Sequence, residues 1–219
     1  MITKNKLLSA LFANTIPIIG VLFWQWSAIS ILLAYWLENF VIGWFVLLKM
    51  RRAKKNYAVN EQNKLVPGGP LRVVSKIEHT IIPFFFVIHY SAFMWGHYGF
   101  LGVIASSANE PLVFNYTILL SVLPLLYTHY LEYRDNYVAI KAYEFLPLTR
   151  LMLSPYRRIV VMHLTIILGS FPIIWGAQYF PQITIVLVLF KIFFDVKSQD
   201  REAKSWAQFN SLPTLEIKK

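Results

Sequence analysis

Residues 27–49 read SAISILLAYWLENFVIGWFVLLK, and this stretch decides the fold. It is long enough to cross a bilayer, which takes about 20 mostly apolar residues. Glu38 is its only charged side chain before Lys49. The whole chain of 219 residues has the same character, with 57% hydrophobic and 15% charged residues. Since soluble domains carry about a quarter charged residues, the sequence predicts a polytopic membrane protein.

Six apolar runs are long enough to form transmembrane helices. They cover residues 7–24, 27–49, 80–105, 113–131, 155–178 and 181–196. The predicted fold is therefore all-α, a single domain over 1–219 built as a bundle of six transmembrane helices. Two longer loops, 50–79 and 132–154, connect the spans. The second loop alternates apolar and charged residues, which predicts a helix along the membrane interface.

The basic residues fix the predicted orientation. The chain has 21 Lys and Arg against 11 Asp and Glu. Every basic residue except Lys191 falls before the first span, after the last span, in the two longer loops, or at the adjoining span ends (Lys49, Arg157 and Arg158). The positive-inside rule makes these regions cytoplasmic and places both termini inside. Such a surface attracts anionic headgroups, and no folded basic domain is present to bind nucleic acid. A membrane-protein partner or a homo-oligomer remains open.

Ionisable and amide side chains inside predicted spans are the candidate functional groups, because burial in hydrocarbon is costly unless they are partnered. They are Asn14, Glu38, Asn39, His89, His97, His129, His163, Lys191 and Asp195. A rise of ~1.5 Å per residue places Glu38 and His89 near the midplane and His163 and His129 nearer the cytoplasm. His97 is predicted to stand apart on the outer side.

These depths favour a metal site formed by Glu38, His89 and His163 and open to the cytoplasm, with His97 or His129 as alternative ligands. Carboxylate and imidazole groups suit zinc or iron, and Glu38 would be a ligand or the base for a metal-bound water. Haem between His89 and His163 is less favoured. The predicted function is a membrane-embedded metalloenzyme or metal-handling protein. A proton-coupled small-solute transporter and a non-catalytic scaffold or complex subunit are the alternatives, so whether the chain is an enzyme stays open.

Other polar groups are predicted to support this site. Asn14 and Asp195 would orient the histidines as second-layer partners. Lys191 and Asp195, four residues apart on one helix face, are expected to pair close to Arg158 or His163. No cysteine is present, which excludes thiolate ligands and disulfides.

Two further predictions concern packing. Gly96, Gly99 and Gly102 recur every three residues, which favours close approach of another helix and places the third span at the centre of the bundle. Trp26 lies at the predicted outer boundary and is assigned to the aromatic belt.

Three motifs resemble one family. They are Tyr35-Trp36-Leu37-Glu38-Asn39, His89-Tyr90 with His97, and Pro155-Tyr156-Arg157-Arg158-Ile159 running to His163-Leu164-Thr165. The chain is similar over nearly its whole length to a bacterial multi-span membrane family of unknown function. The resemblance implies a six-span fold in the bacterial inner membrane with polar motifs inside the bundle, and it implies no activity. Ser91 stands where that family usually has glycine.

Overall fold

The computed structural model describes residues 18–58, 60, 69–156, 159, 160, 163, 164, 166–168 and 170. Within these residues the chain is mostly helical, which agrees with the predicted all-α class apart from one small sheet. Predicted span 181–196 and most of span 7–24 lie outside the described residues. The number of six spans therefore stays a prediction.

The elements follow one another as helices joined by short connections. Residues 18–24 are helical and precede α1 (Ala28–Arg52), β1 (Lys55–Tyr57), β2 (Leu71–Val73), α2 (Lys76–Ser107) and α3 (Tyr116–Tyr133). A π-helix (Arg134–Val138), a 3-10 helix (Ala142–Glu144) and the short α4 (Leu148–Leu153) come next. The last part is helical at residues 156, 159, 160, 163, 164, 166–168 and 170. We use the name 156–170 helix for these described residues only.

Polar side chains start the three long helices. The Ser27 hydroxyl accepts from the backbone N–H of Ser30 at the start of α1, and Asn115 caps α3 in the same manner. Ser75 and Glu78 form a reciprocal capping box at the start of α2. Each cap satisfies backbone donors that lack a partner in the first helical turn.

Among the described residues, two helices are long and apolar enough to cross a membrane, namely α1 and α2. The predicted spans 27–49 and 80–105 coincide with them. Predicted span 113–131 corresponds to α3, which has 18 residues and is not one of these two helices.

α1 and α2 pack in opposite directions. The Trp36 indole N–H donates to the Met94 carbonyl oxygen at 2.7 Å, and the Tyr90 hydroxyl donates to the Asn39 carbonyl oxygen at 2.7 Å. Gly43, one turn further along α1, lies against the Tyr90 ring. The later residue on α1, Asn39, contacts the earlier residue on α2, Tyr90. The two helices are therefore antiparallel.

α1 and α3 pack in the same direction. The Trp26 indole N–H donates to the Thr117 hydroxyl at 2.9 Å, and Phe45 lies 6.0 Å from the His129 ring, centroid to centroid. Residue numbers therefore rise together on both helices. Trp26 is only 4% exposed, so its assignment to an aromatic belt is wrong: its indole is a buried link between helices.

A two-stranded antiparallel sheet departs from the all-α prediction. β1 and β2 pair with Asn56 opposite Arg72, and both lie within the segment 50–79 that the sequence predicts to be a loop. Asn56 is fully buried, and its amide donates to Glu78 while its amide oxygen accepts from the Thr149 hydroxyl at 3.0 Å. This side chain joins the sheet to the first turn of α2 and to α4.

The helix predicted over the second loop, residues 132–153, is not continuous. Three short elements replace it, and Lys141 has a left-handed backbone (φ 53°) that interrupts the helical path. Tyr137, Leu146 and Leu148 are buried. Because these apolar side chains point into the protein, the segment packs as part of the core.

Gly96, Gly99 and Gly102 do not sit at a close contact in the described part of the chain. A methyl group built on each of the three meets no atom within 4 Å there. Gly43 on α1, by contrast, is pressed against Tyr90. Within the described residues, α1 and α2 therefore approach closely at Gly43.

Candidate functional site

His97 on α2 is the most enclosed histidine of the described chain. It is 5% exposed, and its Nδ1 lies 2.7 Å from the Phe93 carbonyl oxygen, one turn earlier on the same helix. A carbonyl oxygen can only accept, so Nδ1 carries the proton. In the neutral ring, Nε2 is then left with its lone pair free to accept a proton or bind a metal.

His163 on the 156–170 helix meets that lone pair. Its Nδ1 lies 2.9 Å from Nε2 of His97, and the two rings stand nearly perpendicular, at 86°. With His97 neutral, His163 Nδ1–H is the donor. The expectation that His97 stands apart is thus wrong, because it is paired with His163.

His89 forms a second contact between the same two helices. Its Nδ1 lies 3.1 Å from the Tyr156 hydroxyl, and its ring stacks on Phe93 with centroids 5.4 Å apart. His89 and His97 are eight residues apart, and their partners Tyr156 and His163 are seven apart. The two helices therefore run in the same direction, with their contacts roughly 11 Å apart along the axis.

The depth assigned to His163 fails for a geometric reason. The 156–170 helix begins beside His89, well up α2, and not at the end of α2 where Lys76 lies. The segment that precedes Tyr156 contains α4 and packs in the core, so the 156–170 helix starts further along α2. His163 consequently reaches the level of His97, about two turns beyond His89.

Glu38 lies on a different helix interface. It is 8% exposed and stands seven residues before Phe45, so the two side chains leave α1 within about 20° of one another. Phe45 contacts His129 on α3, which places Glu38 on the α3 side of α1. The Asn39 amide donates to the Tyr35 carbonyl oxygen, one turn earlier on the same helix, at 2.8 Å.

His129 belongs to a charged cluster at the end of α3. Its Nδ1 lies 3.5 Å from Glu132 Oε2, and Lys49 Nζ lies 3.4 Å from Glu132 Oε1. The Tyr137 hydroxyl donates to the Lys49 carbonyl oxygen nearby. These contacts join the ends of α1 and α3 and are remote from the His97–His163 pair.

The predicted three-ligand arrangement of Glu38, His89 and His163 does not form. In the part of the chain that the structure describes, no three His, Asp or Glu side chains lie close enough to hold a metal ion. The pair that does assemble is His97 with His163. Predicted supporting residues Asn14, Arg158, Lys191 and Asp195 lie outside the described residues.

Sequence reasoning missed Tyr156 and the Phe93 carbonyl oxygen. Tyr156 stands seven residues before His163, as His89 stands eight before His97, and matched spacings of about two turns are the signal for two parallel helices in contact. The carbonyl of Phe93 carries no signal of its own, because every helical residue has one.

The fold and the site together define a protein of packed apolar helices with paired histidines at one helix interface. The chain belongs to DUF6498, a family of unknown function, whose match covers residues 1–210. No match to a curated protein or to a solved structure was found.

Proposed function

We propose that the chain is a multi-pass protein of the bacterial inner membrane with six spans and both termini in the cytoplasm. Two long apolar helices support membrane insertion. The directions of the described helices also support it, since α1, α2, α3 and the 156–170 helix alternate as consecutive spans must. All basic residues but Lys191 lie in predicted cytoplasmic regions or at the cytoplasmic ends of predicted spans. This distribution supports the orientation.

We further propose that His97 and His163 bind a divalent transition metal, zinc or iron, as the core of a metal-handling or metalloenzyme site. The observation that carries this proposal is the Nδ1–H of His97 held by the Phe93 carbonyl oxygen. Histidines that ligate metals are held in this way, because the second hydrogen bond fixes the ring and its tautomer.

The spacing of the two nitrogens suits this chemistry. A tetrahedral zinc ion bound at ~2.05 Å places two nitrogen ligands about 3.3 Å apart. The nitrogens of His97 and His163 lie 2.9 Å apart, so a small rotation of the rings admits an ion in place of the shared proton. An ion with an open position would supply Lewis acidity and an activated water.

Proton transfer is the alternative that the same contact favours. A hydrogen bond between two imidazole rings can pass a proton from one ring to the other, and histidine titrates near neutral pH. His89 and Tyr156 form a comparable pair two turns away. This function would belong to a proton-coupled transporter.

The test is the metal content of the purified full chain after expression with added zinc or iron. We expect about one ion per chain in the wild type and a loss of at least tenfold in H97Q and in H163Q. H129Q is the matched control and should retain its metal, because His129 lies in the separate cluster with Glu132 and Lys49. Elution as a single folded species in size-exclusion chromatography checks each variant.

Unchanged metal content in H97Q and H163Q contradicts the metal site. Absence of metal from the wild type, together with a pH-driven solute uptake in vesicles that both variants lose, indicates the transporter. Absence of metal and of uptake leaves a scaffold role for the histidine pair.

A further inference from the structure

α2 presents one straight stripe of exposed apolar side chains. Ile77, Ile81, Phe84, Ile88 and Trp95 are each between 55% and 69% exposed. At 100° per residue, all five leave the helix within about 40° of Ile77. Because α2 is one of the two helices able to cross a membrane, this stripe is the face expected to meet lipid.

The stripe extends past the start of the predicted span. Ile77 precedes residue 80, and Val73 at the end of β2 is a further large apolar side chain that is 69% exposed. Val74, the next residue, is buried in the core. Since Val74 points inward, Val73 is held outward on the same end of the molecule as Ile77.

Two contacts hold these residues rigidly. The Arg72 guanidinium donates two hydrogen bonds to the Glu78 carboxylate, of 2.6 and 2.8 Å. Ser75 and Glu78 form the capping box at the start of α2. Glu78 lies before the predicted span, and its pairing with Arg72 lowers the pKa of its carboxyl group to about 2. The carboxylate is therefore charged at neutral pH, and the strand cannot turn Val73 inward without breaking this pair.

Basic side chains stand beside the two apolar ones. Lys76 is exposed next to Ile77, and Lys55 is opposite Val73 in the sheet register. Lysines at a membrane boundary lay their methylene groups along apolar surface and place the ammonium group among anionic headgroups.

We infer that Val73 and Ile77 form an interfacial anchor that enters the headgroup boundary of an anionic lipid leaflet, with Lys55 and Lys76 contacting the headgroups. The inference rests on the proposed crossing of the membrane by α2. The anchor fixes the depth of the sheet, and through Asn56 it fixes the position of α4.

Site-directed spin labelling tests the anchor, because the chain has no cysteine of its own. The full chain carrying V73C, I77C, F84C or K141C is labelled with a nitroxide and reconstituted into vesicles of phosphatidylcholine and phosphatidylglycerol. F84C reports the stripe within the span, and K141C reports a charged, exposed position. Collision of each label with oxygen and with a water-soluble nickel chelate is measured.

We expect the nickel accessibility at V73C and I77C to be several-fold lower than at K141C and their oxygen accessibility to approach that of F84C. Water-like values at both sites, with F84C in lipid, overturn the anchor and leave the membrane crossing intact. A water-like value at F84C itself overturns the crossing of the membrane by α2. Spectral broadening from label pairs at V73C or I77C overturns the anchor in favour of contact between two copies of the chain.

Discussion

Replacing Gly43 with valine should lower the free energy of unfolding by about 3 kcal/mol, the upper part of the range for overpacked sites. Even a single methyl group at this position would lie 2.5 Å from Cε1 of Tyr90. The Tyr90 ring cannot swing aside cheaply, because its hydroxyl donates to Asn39 at 2.7 Å and its ring packs on Phe86. The measurement is the unfolding free energy in detergent, by denaturant titration.

Gly99→Val is the matched control. A methyl group at Gly99 meets no atom within 4 Å in the described part of the chain, and valine is a slightly better helix former than glycine. G99V should therefore be neutral or mildly stabilising. If Tyr90 is the obstacle, the double variant G43V/Y90A should be more stable than the sum of the two single effects predicts. Additive effects would place the strain elsewhere.

The α1 and α2 helices were predictable because their signals are strong and local. Apolar runs of the required length mark them, and Ser27 and Ser75 mark where they begin. The tertiary contacts of α1 were less visible. A tryptophan at a helix end reads as an interfacial residue, and only the position of Thr117, 91 residues away, reveals that Trp26 is a buried link.

The sequence predicts that histidines form the candidate site, but it does not predict which histidines contact one another. A depth derived from the start of an apolar run is correct only where the helix begins at the membrane surface. The chain before Tyr156 instead enters the core through Leu146 and Leu148. This shift moves His163 from its predicted depth, on the cytoplasmic side of His89, to the level of His97. The rotation of α1 about its own axis also turns Glu38 away from the histidines. This rotation is set by packing against neighbouring helices, so it cannot be predicted from the sequence of one span.

The small sheet escaped prediction because its strands are only three residues long. Strands of this length have no periodicity to read. They depend on long-range contacts, among them those of the Asn56 side chain with Glu78, 22 residues away, and Thr149, 93 residues away. The sequence around Asn56 does not indicate which distant residues its side chain will contact.

Asn56→Ala should consequently be among the most destabilising single changes outside the apolar core. The substitution removes an amide that donates to Glu78 at 3.1 Å and accepts from the Tyr57 N–H and the Thr149 hydroxyl, each at 3.0 Å. The site is fully buried, so water cannot replace these bonds. Each unsatisfied buried group costs about 1–3 kcal/mol, and we expect a total loss of about 2–4 kcal/mol.

Thr149→Val tests whether any substitution near Asn56 lowers the stability of the protein by the same amount. Valine keeps the shape of threonine and removes one hydroxyl bond to Asn56, so it should cost only about 1 kcal/mol. Hydrogen exchange supplies the second readout: N56A should speed exchange in β1, β2 and α4 while α1 keeps its protection. The reason is that the Asn56 side chain joins β1 to Glu78 at the start of α2 and to Thr149 in α4. Equal losses of stability in N56A and T149V would show that the other Asn56 bonds contribute little. The sheet would then be held mainly by the Arg72–Glu78 pair and by the Lys54 N–H bond to the Tyr143 carbonyl oxygen.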